Sequence, residues 1–373
     1  MSAIITEKFR QHNATQFFES FTEASASTYY LFVGKATAYT SGTTGGSDSS
    51  PPTPSDSPSD TEFYAWDSML AAKNVTSSDV SFSIPRRNWV NGTTYDMYDD
   101  TVSPSSTATS GASNLYDSTF YFMTSDYRVY KVLDNNGGTA YSGAEPTSTS
   151  SSIFELGGYV LKYMYAITTS EAAKYLTSDF IPVSDDSTIS SAAVDGKIES
   201  LKITAGSSYT NGTYYAAVYG DGTSAGTSSG AIVRITVSGG TIQSFGLTAG
   251  SDTTIHAGGA GYTFGTVNLA SGFTFSDTGL SSASAIGGSG GVIEVVISPK
   301  NGHGNSAVTE LGGHYVMSAT TLTQAENDDI TTSNDFRQVG LVVDPTNFGT
   351  STVASATLSL IHISEPTRLL SIS

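Results

Sequence analysis

Residues 120–133 alternate in side-chain character with a period of two. Phe120 and Phe122 begin the pattern, which continues as two opposed sets, Tyr127, Val129 and Lys131 against Arg128, Tyr130 and Val132. This period is typical of a β-strand, whose successive side chains point to opposite faces. Residues 134–138 (DNNGG) then predict a turn, because glycine adopts backbone conformations that other residues avoid.

The composition of the whole chain also favours β structure. Tyr, Thr, Ser, Val and Gly are plentiful, Lys and Glu are scarce, and few segments show the 3.6-residue apolar period of a helix. A chain of 373 residues is long enough for two or three domains with their own cores. We therefore predict a mainly β protein of layered β-sheets, with a few short helices, long projecting loops and an inserted all-β module.

Residues 1–190 are predicted to form a β-rich N-terminal core. Asn13 is a candidate N-cap for a first helix, and three phenylalanines between 17 and 21 give that helix an apolar face. Residues 29–33 predict a strand and residues 66–73 a second short helix. Residues 40–60 consist only of Ser, Thr, Gly, Pro and Asp, which cannot bury enough apolar surface to offset the entropy of ordering them. We expect a projecting loop there.

Residues 191–291 are rich in Gly, Ser and Thr and poor in charge, and they predict the inserted β module. An imperfect repeat supports this: SLKITAGS at 200–207 returns as SFGLTAGS at 244–251, and YTNGT at 209–213 returns as YTFGT at 262–266. The dipeptides Asn211-Gly212 and Asp221-Gly222 predict hairpin turns. Residues 292–297 are expected to resume the core sheet, which continues to 360.

The last segment, residues 361–373, does not continue this pattern. Its letters IHISEPTRLL resemble a translated sequencing adapter. We expect a non-native tail on a truncated chain.

Charge and cysteine content limit the classes of partner. Acidic residues outnumber basic ones 34 to 16, for a net charge of −18, which argues against nucleic acid or an anionic membrane surface as the main partner. The chain has no cysteine, so disulfides and thiolate metal sites are excluded. No stretch approaches the 18 or more apolar residues of a membrane-spanning helix.

The candidate chemical motifs are weak. The acidic pairs at 99–100, 185–186 and 328–329 are adjacent in sequence, and neighbours in an extended segment point apart, so we interpret them as loop acids rather than catalytic pairs. His303 and His314 have no acidic or thiol ligands at metal-binding spacing. Asp221 is a single acid where a calcium loop needs several. We predict no enzymatic activity, no cofactor and no metal.

The one concentrated cationic feature is the run 84–89, IPRRNW. Arg86 and Arg87 are adjacent on an acidic chain, Pro85 fixes their exit from a predicted strand, and Trp89 is one of two tryptophans. Arginine pairs bidentately with carboxylates and Trp buries a large area, so Arg86, Arg87 and Trp89 form a candidate interface. The alternative is a strand end with surface arginines and a Trp that belongs to the core.

Several segments, in this order, resemble the baseplate wedge protein of T-even-type contractile-tailed phages, the product of their gene eight. Residues 84–89 are the most specific of them, and residues 5–10, 127–134, 158–165 and 335–345 are similar to the family's opening motif and three of its strands. The resemblance covers about 1–185 and 292–347. The repeat-bearing insert has no counterpart in the T-even form and is similar to the marine, cyanophage-like branch.

The resemblance implies a structural virion protein in the tail baseplate, assembled in the host cytoplasm. It further implies a homodimer that bridges the wedge partners numbered six, seven and ten and takes part in baseplate assembly and the conformational switch at infection. Two other classes stay open from the residues alone, a tail adhesin and a carbohydrate-binding tail protein. An adhesin should be a trimer with fibrous repeats, whereas a glycan binder needs exposed aromatic side chains over a polar groove.

Overall fold

The computed structural model describes residues 6–23, 26–39, 47–50, 67–227, 229–269, 274–275, 286–320, 336–344 and 361–362. The helices are α1 (Glu7–Glu19), α2 (Thr169–Tyr175), α3 (Ser187–Ser191) and α4 (Ala307–Glu310), with 3₁₀ turns at Ser77–Asp79, Leu115–Asp117 and Asn136–Gly138. The strands, in chain order, are β1 (Tyr29–Gly34), β2 (Met69–Val75), β3 (Val80–Pro85), β4 (Tyr121–Met123), β5 (Arg128–Asp134), β6 (Phe154–Leu156), β7 (Tyr159–Ala166), β8 (Phe180–Val183), β9 (Ser200–Thr204), β10 (Ser207–Tyr209), β11 (Gly212–Gly220), β12 (Ile232–Ser238), β13 (Thr241–Ile242), β14 (Thr254–Ala257), β15 (Gly265–Val267), β16 (Thr274–Phe275), β17 (Gly287–Ser289), β18 (Val292–Val296), β19 (Tyr315–Ser318), β20 (Gln338–Val343) and β21 (Ile361–His362). The mainly β prediction is confirmed. Within these ranges no helix combines the length and the apolar character needed to cross a membrane.

The chain divides into two compact units, residues 1–82 with 314–373, and residues 83–313. In the first unit β20, β1, β2 and β21 form a four-stranded antiparallel sheet in that order. Tyr29 of β1 lies opposite Val75 of β2 and Val343 of β20. The strand predicted at 335–345 is therefore present as β20. The loop predicted over 40–60 lies outside the described residues, apart from a turn at 47–50.

Two expectations for the first unit are wrong in detail. Of the helix predicted over 66–73, residues 67 and 68 are helical, but residues 69–73 belong to strand β2, because pairing with β1 outweighs the helix preference of their Met, Leu, Ala and Lys residues. The first helix begins earlier than Asn13, at Glu7, because the Thr6 hydroxyl accepts a hydrogen bond from the Phe9 backbone N–H at 3.3 Å.

The apolar face of α1 is used as predicted. The Phe17 and Phe21 rings lie 5.6 and 4.2 Å from the Tyr29 ring, centroid to centroid, and Phe18 stacks on Phe82 at 4.5 Å. The helix therefore packs on the end of the sheet where Tyr29 and Val75 meet.

The second unit contains an antiparallel sheet in the order β4, β5, β7, β6. β5 corresponds to the alternating segment that the sequence singled out, and a 3₁₀ turn follows it at the predicted DNNGG. Both faces of β5 are buried, including Lys131, which has 0% of its surface exposed. The alternation therefore predicted the strand but not the burial of its polar face.

Aromatic side chains fill one face of this sheet. The cluster contains Tyr95, Phe122, Tyr130, Val132, Tyr141, Tyr159, Leu161, Tyr163 and Ile189. Buried tyrosine hydroxyls donate to main-chain carbonyls: Tyr130 to Ser148 at 2.9 Å and Tyr159 to Thr139 at 2.6 Å. Because an unpaired buried hydroxyl is costly, these bonds fix the loops as well as filling the core.

A larger sheet occupies most of residues 200–296, with the strand order β13, β12, β11, β15, β18, β9. The described residues of 194–291 form strands and no helix, in agreement with an all-β insert. The expectation that residues 292–297 resume the core sheet is wrong, because β18 pairs with β9 along its whole length and with β15 at Glu294. The insert therefore extends to the end of β18, and both sheets belong to the unit 83–313.

The internal repeat is conserved in structure only in its second half. Residues 200–204 form β9, whereas 244–251 form a turn held by Asp252, which accepts from the Thr248 N–H at 3.0 Å. Tyr209 and Tyr262, which begin the YTxGT copies, are both buried, and their hydroxyls accept the backbone N–H groups of Gly291 at 2.9 Å and Ala231 at 3.0 Å. The repeat therefore marks two equivalent tyrosine anchors.

The predicted hairpin turns are not two-residue turns. Gly212 begins β11 and the Asn211 side chain accepts the Gly240 N–H at 2.8 Å, while Asp221 and Gly222 start the longer connection from β11 to β12. Asp221 accepts the N–H groups of Thr263 and Phe264 at 2.8 and 3.2 Å. Side-chain bonds to distant backbone groups replaced the local turn that the dipeptides favour.

We predict from the register of β9 and β18 that the insert can be removed. Ser200 lies directly opposite Val296, so the two ends of the module are one antiparallel pair apart, about 5 Å between Cα atoms. Replacing residues 200–296 by a short Gly/Ser bridge is expected to leave a soluble protein with one cooperative thermal transition, measured by calorimetry and far-UV circular dichroism.

Deletion of 194–291 is the matched comparison. It leaves β18 without β9 and β15, so its apolar residues lose their sheet, and we expect aggregation. A molten product from the 200–296 deletion would contradict the modular interpretation.

Candidate interaction site

The candidate interface begins where β3 ends. The Arg86 N–H donates to the Asp179 carbonyl at 2.7 Å, and the Trp89 N–H donates to the Met123 carbonyl at 2.8 Å. Met123 in turn donates to the Arg87 carbonyl at 2.7 Å. The segment is therefore extended and fixed on both sides, as Pro85 predicted, and side chains 86, 88 and 90 alternate with 87 and 89.

Arg87 is turned toward its own subunit. Its guanidinium lies 4.3 Å above the Tyr121 ring and donates from Nη2 to the Tyr116 carbonyl at 2.8 Å. Nη1 is buried and has no hydrogen-bond partner within the described part of the chain. Burial lowers the pKa of Arg87 from its ordinary value, against the opposing effect of Tyr121 and the carboxylates of Asp117 and Asp96.

Trp89 also faces the interior. Its ring makes an edge contact with Tyr141 at 5.9 Å and packs against the tyrosine cluster. The indole Nε1 is buried, and none of the residues that the structure describes accepts a hydrogen bond from it. Trp89 therefore serves mainly as packing within the subunit.

Arg86 is the member that reaches the surface. It donates from Nε to the Asn88 side chain at 2.9 Å and from Nη1 to the Thr177 carbonyl at 2.8 Å. Asn88 is exposed beside it, and Val90 is 54% exposed. Among the described residues neither Arg86 nor Arg87 forms an ion pair with a carboxylate. The three-residue interface stays a prediction, and its accessible part is the row Arg86, Asn88 and Val90.

The acidic pairs connect distant segments. Asp99 accepts from Lys202 Nζ at 2.8 Å and Asp100 from the Ile297 N–H at 3.0 Å. Although burial opposes ionisation of Asp99, hydrogen bonds from Lys202 and Thr101 hold its pKa below its ordinary value. The pair therefore ties the insert's strands to the loop after Tyr98.

The other two pairs are consistent with a structural role where they are described. Asp186 caps α3 through the Thr188 N–H at 2.8 Å, and Asp185 accepts the Val308 N–H at 3.2 Å. The pair at 328–329 lies outside the described residues. No group of three or more His, Asp or Glu side chains in the described ranges could hold a metal ion.

A buried ionic cluster was missed by sequence reasoning. Lys131 Nζ donates to Glu310 Oε2 at 2.6 Å and contacts His303 Nδ1 at 2.8 Å, and it lies 4.0 Å above the Tyr98 ring. Glu310 Oε1 accepts the Gly304 N–H at 2.7 Å and the Ser306 N–H at 3.3 Å. The cluster therefore fastens the segment 303–310 to β5.

The electrostatics of this cluster follow from burial. Burial lowers the pKa of Lys131, against the attraction of Glu310. His303 is 1% exposed, and burial, together with the positive charges of Lys131, Lys162 and Lys197, holds its pKa well below the ordinary value. His303 is therefore neutral and accepts a hydrogen bond from Lys131 Nζ at Nδ1, while its buried Nε2 has no hydrogen-bond partner among the described residues. A lysine inside an apolar strand pattern was the available signal, but its partner lies 179 residues away.

Comparison with known proteins gives a family match for the N-terminal part of the chain. Residues 3–144 match the family model Phage-Gp8, described as Bacteriophage T4, Gp8. The matched range includes the 84–89 segment and both β4 and β5. No curated protein matches the chain.

Charge reversal separates the two arginines. Arg87→Glu places a carboxylate in a buried position near Asp96 and Asp117, so we expect a loss of about 3 kcal/mol or more in the free energy of unfolding. Arg86→Glu is expected to leave the melting temperature unchanged and to weaken association with a protein partner. Thermal unfolding and partner binding by calorimetry measure the two effects. Normal partner binding by Arg86→Glu would remove Arg86 from the interface.

His303 should make stability depend on pH. The unfolded chain binds a proton at the ordinary histidine pKa of about 6.5, whereas the folded protein does not, so stability falls as pH drops below that value. The loss grows by at most about 1.4 kcal/mol for each pH unit below that value. His303→Asn can still accept from Lys131 but cannot titrate, and we expect it to lose this part of the pH dependence in denaturant titrations between pH 8 and 5.

Comparing the wild type with His303→Asn removes the contributions of the other titrating groups to the pH dependence of stability. Burial raises the pKa of Asp134 to about 6, which stabilises the fold as pH falls, and this contribution is common to both proteins. Equal pH dependence in wild type and variant would show that His303 takes up its proton in the folded state.

Proposed function

Because residues 3–144 belong to the bacteriophage T4 Gp8 family, we propose that this chain is a baseplate wedge subunit that takes part in tail assembly and in the conformational switch at infection. The protein is a structural component of the phage tail baseplate. The family match is the observation that carries this assignment, since it covers the Arg86–Trp89 region and the first strands of the tyrosine-rich sheet.

The internal chemistry supports a mechanical role. Asp96 is buried and accepts four hydrogen bonds, from the N–H and hydroxyl of Ser110 and of Thr119, at 2.6 to 3.0 Å. Glu310, Asp99 and Asp186 are likewise bonded to backbone groups or to lysine. Charged side chains that could act on a substrate are thus committed to holding segments together, which suits a subunit that transmits force rather than one that catalyses a reaction.

The proposed partners are a second copy of the chain and the neighbouring wedge proteins, numbered six, seven and ten in T-even-type phages. On a chain with a net charge of −18, a cationic position such as Arg86 is a natural contact for an acidic patch on a neighbour. Val90 beside it adds apolar area to the same row.

Co-assembly tests the proposal. The tagged chain is expressed together with the wedge proteins of the same phage, and complexes are analysed by native mass spectrometry. We expect a stable complex that contains this chain as a dimer. Arg86→Glu serves as the variant with weakened contact and Arg86→Lys as a matched control that keeps the charge at the same position.

Two results would contradict the proposal. The neighbouring proteins could assemble with one another while this chain stays apart, or the chain alone could form a trimer that binds host-cell glycans. The second result would favour the tail adhesin.

A further inference from the structure

The edge strand β20 carries a stripe of exposed apolar side chains. Val339, Leu341 and Val343 are 62%, 36% and 50% exposed, and they alternate with half-buried residues. All three therefore lie on one face of the strand.

The stripe continues onto the neighbouring strand. Val339, Leu341 and Val343 lie opposite Val33, Leu31 and Tyr29 of β1, so these side chains share a face of the sheet. α1 covers the Tyr29 end of that face. Among the described strands β1 is the only neighbour of β20.

β20 also lacks the usual protection of an edge strand. Gln338–Val343 contains no charged residue and no proline, and its register with β1 is regular over six residues. Natural proteins normally protect such an edge with lysine, proline or a bulge, because its unpaired backbone groups attract another strand. An unprotected edge with an apolar stripe is the form expected of a strand that acquires a partner.

We propose that β20 is the surface through which two copies of this chain associate, edge to edge and antiparallel around Leu341. The inference rests on the homodimer in the proposed function and assigns it a surface.

Self-complementarity selects a second copy as the partner. A twofold interface uses the same patch on both subunits, so residue i contacts j and j contacts i. Pairing centred on Leu341 places Leu341 opposite itself and Val339 opposite Val343 of the other copy. Opposite residues share a face, so six apolar side chains join in one stripe. A one-residue shift would turn the two stripes to opposite faces of the joined sheet.

Charge favours the same arrangement. Two copies with a net charge of −18 repel one another, and contact through an uncharged strand brings no like charges into direct opposition. In the centred register the end positions pair Gln338 with Asp344, whose carboxylate already accepts the Thr28 N–H at 2.7 Å. β18 also carries an exposed apolar residue, Val292, which is 47% exposed, but its surroundings are polar. Val292 lies opposite Thr204 and two residues from the exposed carboxylate of Glu294.

A cysteine placed at the twofold axis tests the surface directly. The chain has no cysteine, so Leu341→Cys introduces a single thiol that should face its own copy. We expect a covalent dimer after mild oxidation or with a short bis-maleimide, seen on a non-reducing gel. Val292→Cys, an exposed strand position elsewhere, is the control and should stay monomeric on the gel.

Charge insertion measures the contribution of the stripe. Val339→Lys changes an exposed side chain, so folding should persist, yet the dimer would contain two lysines at its seam. We expect the dimer dissociation constant to rise about 100-fold or more in sedimentation equilibrium, with Val292→Lys unchanged.

The outcomes separate this inference from the proposed function. A wild-type dimer that is unaffected by Val339→Lys and not trapped by Leu341→Cys would overturn the β20 surface and leave the homodimer standing. A wild-type monomer would overturn both the surface and the homodimer, while baseplate membership would still be decided by co-assembly with the wedge proteins.

Discussion

The hydrogen bond from a buried tyrosine hydroxyl to a main-chain carbonyl is the contact that organises the unit 83–313. Tyr121 reaches Pro85 at 2.7 Å, Tyr165 reaches Pro182 at 2.8 Å, and Tyr159 reaches Thr139 at 2.6 Å. A phenylalanine could fill the same volume, but it would leave those carbonyls without a partner. Each tyrosine thus couples the packing of the sheet to the position of a second segment, which is β3 for Tyr121, β8 for Tyr165 and the loop at Thr139 for Tyr159. The extended segment that presents Arg86 is held in this way, since Tyr121 binds its start and also lies beneath Arg87.

The buried Lys131–Glu310 pair adds a second, electrostatic fastening. Moving both charges out of water is costly, and the hydrogen bonds of Lys131 to Glu310 and His303 offset part of this cost. Removal of Glu310 alone would leave the Lys131 ammonium group buried against Tyr98 without a counter-charge. Replacement of both Lys131 and Glu310 by apolar residues of similar volume could be tolerated. The contact therefore contributes more to fixing one arrangement of residues 303–310 than to net stability.

Sequence patterns correctly predicted the features that depend mainly on residues close together in the chain. The period of two located β5, the turn chemistry located its end, and the phenylalanine spacing identified the packed face of α1. Predictions failed where a distant partner decides: β2 was assigned as a helix because its pairing with β1 is invisible in residues 66–73, and β18 was assigned to the wrong sheet. In the candidate interface the residue types were recognised, but the alternation that turns Arg87 and Trp89 inward and Arg86 outward required the positions of Tyr121 and Tyr141. The Lys131 cluster could not be predicted because its members are spread over the chain.

The glycine content of the insert suggests a loosely packed segment, but some of these glycines are needed for close packing. The ring of Tyr262 lies so close to Gly222 and Gly259 that a Cβ at either position would overlap it, and its hydroxyl is bonded to the backbone at Ala231. These glycines are required by close packing. In a segment whose composition suggests tolerance of change, we therefore expect substitutions at Gly222 and Gly259 to be tolerated less well than substitutions at exposed serines and threonines of the same module.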